Sequence, residues 1–179
     1  SKSPRDLYKA QTLTDKTLSD VAAMQVNDLQ FTQTDGSWTL TDDPDYPVSQ
    51  SSIKKMASTI LQMQTAWTVT APEADTAYGL DSPDVTAVLT FTDGTSLTVR
   101  FGNAVAAAAD GSDGDSLCYL ASDAAPTVVY EVNADSKLAY AVTKESLYEE
   151  TATAETAASD PVAQYPVGGE DDYADSLPE

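Results

Sequence analysis

The stretch from residue 78 to residue 102 places the strongest constraint on the fold, because it contains two alternating segments joined by a turn. Apolar residues occupy every second position from 85 to 91 and again from 97 to 101, and Asp93-Gly94 lies between the two segments. A period of two is typical of strands that bury one face, and Asp-Gly between such strands is a strong hairpin signal. The sequence therefore predicts an antiparallel hairpin.

The apolar pattern also selects the geometry of this turn. A two-residue turn at Asp93-Gly94 would pair Leu97 with Thr90 and divide the apolar residues between the two faces of the hairpin. A three-residue loop that ends at Gly94 instead pairs Leu97 with Leu89. Because a shift of one residue moves every side chain to the opposite face, we predict the longer loop, with Gly94 in the left-handed conformation as a bulge.

Residues 21–40 have the pattern of a three-stranded meander. Two-residue turns at Asn27-Asp28 and Asp35-Gly36, the second of type I′, keep the apolar residues of the three strands in phase. Trp38 then lies on the apolar face, where burial in the core is favoured over an exposed sugar-binding platform. The residues predicted to share this face are Ala22, Met24, Val26, Leu29, Phe31, Trp38 and Leu40.

Two helices are predicted to pack on the apolar face of the sheet. The first has apolar residues at helical spacing from 53 to 61, and Ser49 is one of several serines before it that can act as its N-cap. The second is predicted to begin at a cap on Asn133 or Asp135 and to extend to Tyr148. The predicted inward residues are Ile53, Met56, Ala57, Ile60 and Leu61 in the first helix and Leu138, Ala141 and Val142 in the second.

Three further short strands are predicted, at residues 66–70, 117–121 and 128–132, because each is apolar and is bounded by turn residues. Together with the hairpin and the meander they indicate an α+β fold. We expect antiparallel strands to form a sheet with two helices on its apolar face, followed by an irregular acidic C-terminal tail.

The chain is predicted to contain one domain between two appendages, as its length of 179 residues suggests. Residues 1–17 are polar and are expected to form a tether or linker, and residues 18–148 are expected to form the domain. Residues 149–179 contain no Lys or Arg, and their mixture of Thr, Ala, Glu, Ser and Pro predicts an acidic low-complexity tail.

Composition excludes several classes of function. The formal net charge is −20, from 29 acidic and 9 basic residues, so nucleic acid and anionic membrane surfaces would repel the protein. The chain has no His, which excludes histidine-dependent catalysis. A lone cysteine, Cys118, excludes an internal disulfide and a Cys-based zinc site, and its apolar surroundings predict a buried and unreactive thiol.

Two acidic clusters are candidates for cation sites. Asp42, Asp43 and Asp45 precede Tyr46, and residues 110–115 have a superficial likeness to a calcium loop. The acidic spacing of 110–115 does not fit an EF-hand, and no Glu closes the loop. In so acidic a chain both clusters are expected to be solvated loops. We assign no catalytic, cofactor-binding or metal-binding residue and expect no cofactor.

An ordered set of residues resembles one known family. It consists of Tyr78, Gly79, Leu80, Asp81 and Pro83, followed by Asp93-Gly94 and Gly102. In this order, with a helix before them and Tyr-bearing strands after them, the chain resembles the DUF4340 family over roughly residues 18–148. Members of that family are typically anchored to the bacterial envelope by an N-terminal hydrophobic segment, and some are encoded beside gliding-type ABC export components. The family supplies no catalytic residues.

The resemblance implies an extracytoplasmic protein of the bacterial cell envelope, held by an anchor that would precede Ser1, with an envelope or transporter protein as its partner. We therefore expect a non-enzymatic accessory or interaction module of an ABC export-type system. A ligand- or glycan-binding domain would instead need exposed aromatic rings such as Tyr46, Trp67 or Tyr78. A carboxylate-dependent hydrolase would need two acids held close together in a cleft, and no spacing singles out such a pair.

Overall fold

The computed structural model describes residues 2–106 and 116–150, which form an α+β domain built on one antiparallel sheet. The predicted fold class is confirmed. The strands and the α-helix are β1 (Val21–Val26), β2 (Leu29–Thr34), β3 (Ser37–Leu40), α1 (Gln50–Leu61), β4 (Trp67–Thr68), β5 (Val85–Phe91), β6 (Ser96–Ala104), β7 (Leu117–Ser122) and β8 (Tyr130–Asn133). Short 3₁₀ helices span Leu18–Asp20, Asp75–Tyr78, Ala134–Tyr140 and Glu145–Leu147.

The described strands lie in the order β3-β2-β1-β5-β6-β7-β8-β4. At the centre, β5 and β6 form the predicted hairpin in the predicted register, with Leu89 opposite Leu97. The amide of Phe91 donates to the carbonyl of Thr95 over 2.8 Å, which closes a three-residue loop. Gly94 has a φ of 88°, so the left-handed conformation in this loop is also confirmed.

The meander also forms as predicted. Val26 lies opposite Leu29 across the first turn, and Gln33 lies opposite Trp38 across the second. Asp35 and Gly36 both have positive φ, as a type I′ turn requires. Because both turns contain two residues, the apolar side chains of β1, β2 and β3 face the same side of the sheet.

One residue predicted for this face is wrong. Ala22 is only half-buried, and Val21 is buried in its place. Between Val21 and Ala23 the register of β1 against β5 shifts, so that β1 has one extra residue opposite the step from Phe91 to Thr90. Such a bulge reverses the alternation of faces along a strand, and for this reason Val21 points into the core.

The apolar face, which we call the inner face, is covered by α1. The side chain of Ser49 caps this helix by accepting a hydrogen bond of 3.2 Å from the amide of Ser52. All five predicted inward residues of α1 are buried, at exposures between 0% and 7%. Trp38 is also buried, at 1% exposure, as predicted. The sheet and α1 thus enclose one continuous hydrophobic core.

The second predicted helix is wrong in form. Residues after β8 instead make two 3₁₀ segments, and Leu138 is 71% exposed. Tyr140 is the buried residue of the first segment, and Ala134 and Ala139 pack partly against the core. Of the other predicted inward residues, Ala141 is exposed, whereas Val142 packs partly against the core as predicted. The predicted cap is present, because Asn133 accepts a hydrogen bond of 2.8 Å from the amide of Asp135. Tyr140 links this segment to α1 by donating a buried 2.6 Å hydrogen bond to the carbonyl of Met56.

Three of the residues that carry the family resemblance, Tyr78, Leu80 and Gly102, lie against one another. Gly79 has a φ of 70° and ends the 3₁₀ helix Asp75–Tyr78. A Cβ atom added to Gly102 would lie 2.3 Å from the carbonyl oxygen of Tyr78 and 3.1 Å from the side chain of Leu80. Gly102 is therefore needed because the backbone before β5 passes directly over β6 at this point.

Both edges of the sheet are closed by hydrogen bonds. At the β3 edge, the side-chain amide of Gln50 donates to the carbonyl of Trp38, and its oxygen accepts from the amide of Trp38, both over 2.7 Å. At the β4 edge, Thr65 donates its amide to the carbonyl of Gln11, and Thr12 forms a bridge with Gln64. These contacts occupy main-chain groups that would otherwise be free to pair with another strand.

We predict that Gly102→Ala destabilises the domain by about 1–3 kcal/mol, because the backbone of Tyr78 must move to admit the methyl group. Without that close approach, a Gly→Ala substitution within a strand would stabilise the fold by about 0.5–1 kcal/mol. Urea unfolding of the variant and the wild type measures the difference. An increase in stability would contradict the contact between Tyr78 and Gly102.

We also predict that Tyr140→Phe lowers the free energy of unfolding by about 0.5–1.5 kcal/mol, because it removes one buried hydrogen bond. Leu138→Ser is the matched control, since its side chain points into solvent and its change is expected to stay within about 0.5 kcal/mol. The same urea titration compares the two. A larger loss of unfolding free energy for Leu138→Ser than for Tyr140→Phe would contradict this arrangement and would support the sequence-based prediction that Leu138 faces the core.

Candidate functional site

The aromatic rings considered as binding platforms all contact other parts of the chain. Tyr78 is buried, and its ring packs edge-on to Tyr119 with 4.7 Å between centroids. Trp67 lies under the Arg5 guanidinium, whose Cζ is 4.6 Å from the centre of the Trp67 ring. Tyr46 lies under Lys144, with Nζ 4.6 Å from the ring centre. Tyr78 is therefore not available as a stacking platform, and Trp67 and Tyr46 are each half-buried with a cation of the same chain over one face of the ring.

The lone thiol and two hydrogen-bonded carboxyl groups have shifted pKa values. Cys118 is fully buried, as predicted, and burial raises the pKa of its thiol, which disfavours the nucleophilic thiolate. Hydrogen bonds lower the pKa of Asp20 and of Asp93. A general acid at neutral pH needs a shift in the opposite direction. Asp20 and Asp93 are therefore ionised at neutral pH and are not suited to act as general acids.

The described residues include the first of the two acidic clusters but not the second. Asp43 forms an ion pair with Lys144 over 2.8 Å, whereas Asp42 and Asp45 are exposed. Within 2–106 and 116–150, no group of three or more His, Cys, Asp or Glu residues is placed to hold a metal ion. The calcium-like loop at 110–115 lies outside the described residues, as does the predicted tail from residue 151 onward.

The face of the sheet opposite α1 contains an extended uncharged surface. Paired residues share this face across five neighbouring strands, with Thr32 opposite both Ala23 and Thr39, and Val88 opposite both Gln25 and Thr98. None of these side chains is buried. We call this surface the open face and define it by Ala23, Gln25, Gln30, Thr32, Thr39, Thr86, Val88, Thr90 and Thr98.

The open face offers hydroxyl and amide groups without charge or aromatic rings. Its centre is a shallow depression of about 200 Å³, lined in part by Gln25, Gln30, Thr32 and Thr90. Hydroxyl and amide side chains both donate and accept hydrogen bonds. Chemically, the open face can exchange hydrogen bonds with water for hydrogen bonds with a partner, but it cannot transfer protons at neutral pH.

Three acidic turns border one end of this surface. The turns after β2, β5 and β7 lie at the same end of the sheet, because these three strands run in the same direction. Each turn contains one exposed Asp, namely Asp35, Asp93 and Asp123. Asp93 forms an ion pair with Lys16. The open face therefore has a neutral centre and an acidic rim.

The remaining part of the same side of the sheet is covered. Tyr78 and Leu80 pack with Ala121 and Val129 into a second, smaller hydrophobic cluster over β7 and β8. Arg100 marks the boundary with the open face, since its guanidinium donates to the carbonyl of Leu80 over 2.7 Å. A larger depression of about 430 Å³ lies elsewhere, between residues 12–18 and the end of α1. Most of its lining is Thr and Ser hydroxyls and apolar side chains, with one Asp and one Lys.

Sequence reasoning did not identify the open face as a site. The signal in the sequence is that the outward positions of β2 and β5 are all uncharged, with Thr and Gln at every one except Val88. A strand of an acidic chain whose outward residues are all neutral is a sign that the outer surface also has a role.

The pKa of Asp93 gives a direct test of the acidic rim. Its hydrogen bond with Lys16 is the main cause of its lowered pKa, and hydrogen bonds from Thr95 add to it. Asp93 therefore stabilises the fold above the ordinary Asp pKa, and this contribution is lost as the pH falls through the lower folded value. We predict that Lys16→Gln raises the pKa of Asp93 toward about 3.9. Carboxyl-carbon NMR titration measures it, and an unchanged pKa would contradict the ion pair.

Comparison with known proteins gives one family. Within the described residues, no helix has both the length and the apolar character needed to cross a membrane. No curated protein and no solved structure gives a significant match. The family model DUF4340, a domain of unknown function, matches residues 38–158. This segment includes all of the motif residues, among them Gly79 and Gly102. This segment is more than half of the chain, and the chain therefore belongs to the DUF4340 family.

Proposed function

We propose that this protein is a non-enzymatic interaction module that docks on a partner protein through the open face. The observation that supports the proposal is the absence of charge from that face. All nine of its residues are neutral, although the formal charge of the chain is −20. The first charged side chain on this side of the sheet is Arg100, which lies opposite Thr86 at the boundary of the open face.

A neutral face is suited to docking for an energetic reason. A charged side chain at the centre of an interface must lose its hydration, and unless it is paired this desolvation costs several kcal/mol. Neutral hydroxyl and amide groups lose less and can form new hydrogen bonds with the partner. The centres of protein interfaces are accordingly depleted of charged residues.

The rim indicates the chemistry of the partner. Asp35 and Asp123 are exposed beside the neutral centre, so a partner with basic residues around an uncharged patch would be complementary. A second copy of this chain is a poor candidate, because two molecules of charge −20 repel each other. A glycan is disfavoured because the open face contains no aromatic ring.

The setting of this interaction is part of the proposal. The family resemblance implies an extracytoplasmic protein of the bacterial envelope, anchored N-terminally and accessory to an ABC export-type system. The proposed partner is therefore an envelope or transporter protein of such a system. No nucleic-acid partner is proposed, since the negative charge opposes it.

Site-specific photo-cross-linking in the native host tests this proposal. We predict that a photoreactive residue at Thr32 cross-links to an ABC export-type envelope protein, identified by mass spectrometry. The same residue at Thr59, on the solvent side of α1, is the control and is expected to give no such product. Equal yields at both positions, or products at neither, would contradict docking through the open face.

A second arm of the experiment measures the energetic claim. Thr32→Glu together with Thr90→Glu places two negative charges at the centre of the open face, and co-purification of the cross-linked partner is expected to fall by about tenfold or more. Thr59→Glu adds negative charge on the opposite side of the molecule and is expected to leave co-purification unchanged.

A further inference from the structure

On the covered part of the outer side of the sheet, a carboxylate lies between two aromatic residues. Glu131 of β8 is opposite Tyr119 of β7 on one side and Trp67 of β4 on the other. Glu131 is 5% exposed, although it is one of few charged residues within a strand. The pKa of the Tyr119 hydroxyl is raised, mainly by burial and to a smaller extent by the Glu131 carboxylate. The three side chains form an acidic and aromatic site.

The N-terminal segment places a cation in this site. Nη1 of Arg5 lies 2.9 Å from Oε1 of Glu131, and its Cζ lies 4.6 Å from the centre of the Trp67 ring. The ring of Tyr8 packs against Trp67 with 5.4 Å between centroids. An aromatic face beside a carboxylate is the arrangement by which proteins recognise guanidinium and ammonium groups.

Arg5 fills this site only in part. Its Nη1 forms a 2.9 Å ion pair with the buried Oε1 of Glu131, but the Arg5 side chain is 48% exposed. An ion pair with one partner this exposed is weakened by solvent. An arginine that is more fully enclosed would therefore compete with Arg5 for Glu131.

The surrounding groups favour an extended peptide as that ligand. The amide of Thr65 donates to the carbonyl of Gln11 over 2.9 Å, as in the addition of a strand to a sheet edge. The Tyr8 hydroxyl lies 2.6 Å from the hydroxyl of Thr65 and 2.8 Å from that of Thr68. The edge thus accepts a main chain, and the site beside it accepts a cation and an aromatic ring three positions apart.

We propose that Trp67, Tyr119 and Glu131 form a recognition site for an extended peptide of a partner protein that presents an arginine, and that Arg5 competes for this site from within the same chain. This site lies at the opposite edge of the sheet from β3 and does not depend on the open face. Docking at the open face can therefore fail while this inference holds, and the reverse is also possible.

The test uses the full chain and a synthetic peptide with the sequence of residues 2–13. In the variant Arg5→Ala with Tyr8→Ala the internal competitor is weakened, and we expect the peptide to bind about tenfold or more tightly than it binds the wild type. Trp67 fluorescence reports binding, since the other tryptophan, Trp38, is buried in the core. The matched control variant, Lys2→Ala with Lys9→Ala, also removes basic charge from the segment and is expected to bind as the wild type does.

A second peptide separates recognition of the arginine from general attraction to an acidic protein. It has the same composition, with its arginine and its aspartate exchanged in position, and we expect it to lose the gain in affinity. We call the variant with Arg5→Ala and Tyr8→Ala the opened variant. Adding Glu131→Gln to it is expected to remove the gain in peptide affinity as well. Equal binding of both peptides, or no tighter binding by the opened variant than by the wild type, would overturn the proposal.

An NMR titration of the wild type provides a test that needs no variant. At high concentration the peptide of residues 2–13 is expected to displace the internal segment, so the amide signals of residues 5–12 move toward disordered-chain positions. The signals of α1 are expected to stay unchanged. If the signals of residues 5–12 do not move at saturating peptide, the site does not exchange its occupant and the proposal is wrong.

Discussion

The packing of α1 on the inner face of the sheet is the interaction on which the rest of the structure depends. Every strand except β4 contributes apolar residues to that face, and α1 covers them with Ile53, Met56 and Ile60, which are all fully buried. Full burial of side chains of this size contributes about 1.5–3 kcal/mol each. A change of one residue in register would turn this apolar surface toward water. The loop lengths, two residues at the meander turns and three at Gly94, keep the strands in phase.

Much of the inner face could be predicted from the sequence, because burial imposes a period that the sequence displays. The register of β5 against β6 and the burial of Trp38 both follow from that period. Local geometry that depends on distant contacts could not be predicted. The bulge at Ala22 is visible only in the pairing of β1 with β5, and the 3₁₀ form of residues 134–140 depends on the contact of Tyr140 with α1. The close approach of Tyr78 to Gly102 likewise appears only in the folded chain.

The outer side of the sheet was less accessible to sequence reasoning, because no single period describes it. One part is neutral and uncovered, and the other part is covered by residues 69–80 and by the N-terminal segment. Glu131 and Arg5 meet across 126 positions of sequence, and an isolated Glu in an apolar strand gave no indication of its partner. The two parts differ in how they treat charge. The open face avoids the desolvation of charge, whereas the Glu131 site confines a negative charge between aromatic rings to attract a cation.

The central claim is that one sheet has a buried apolar side and an uncovered neutral side. Relaxation of side-chain methyl signals by a neutral, soluble gadolinium chelate measures this difference directly. The account predicts strong broadening of the methyl signals of Thr32 and Thr90, and little broadening for those of Leu89 and Val99. Threonine methyls as well protected as those of Leu89, or leucine and valine methyls broadened as strongly as those of Thr90, would contradict it.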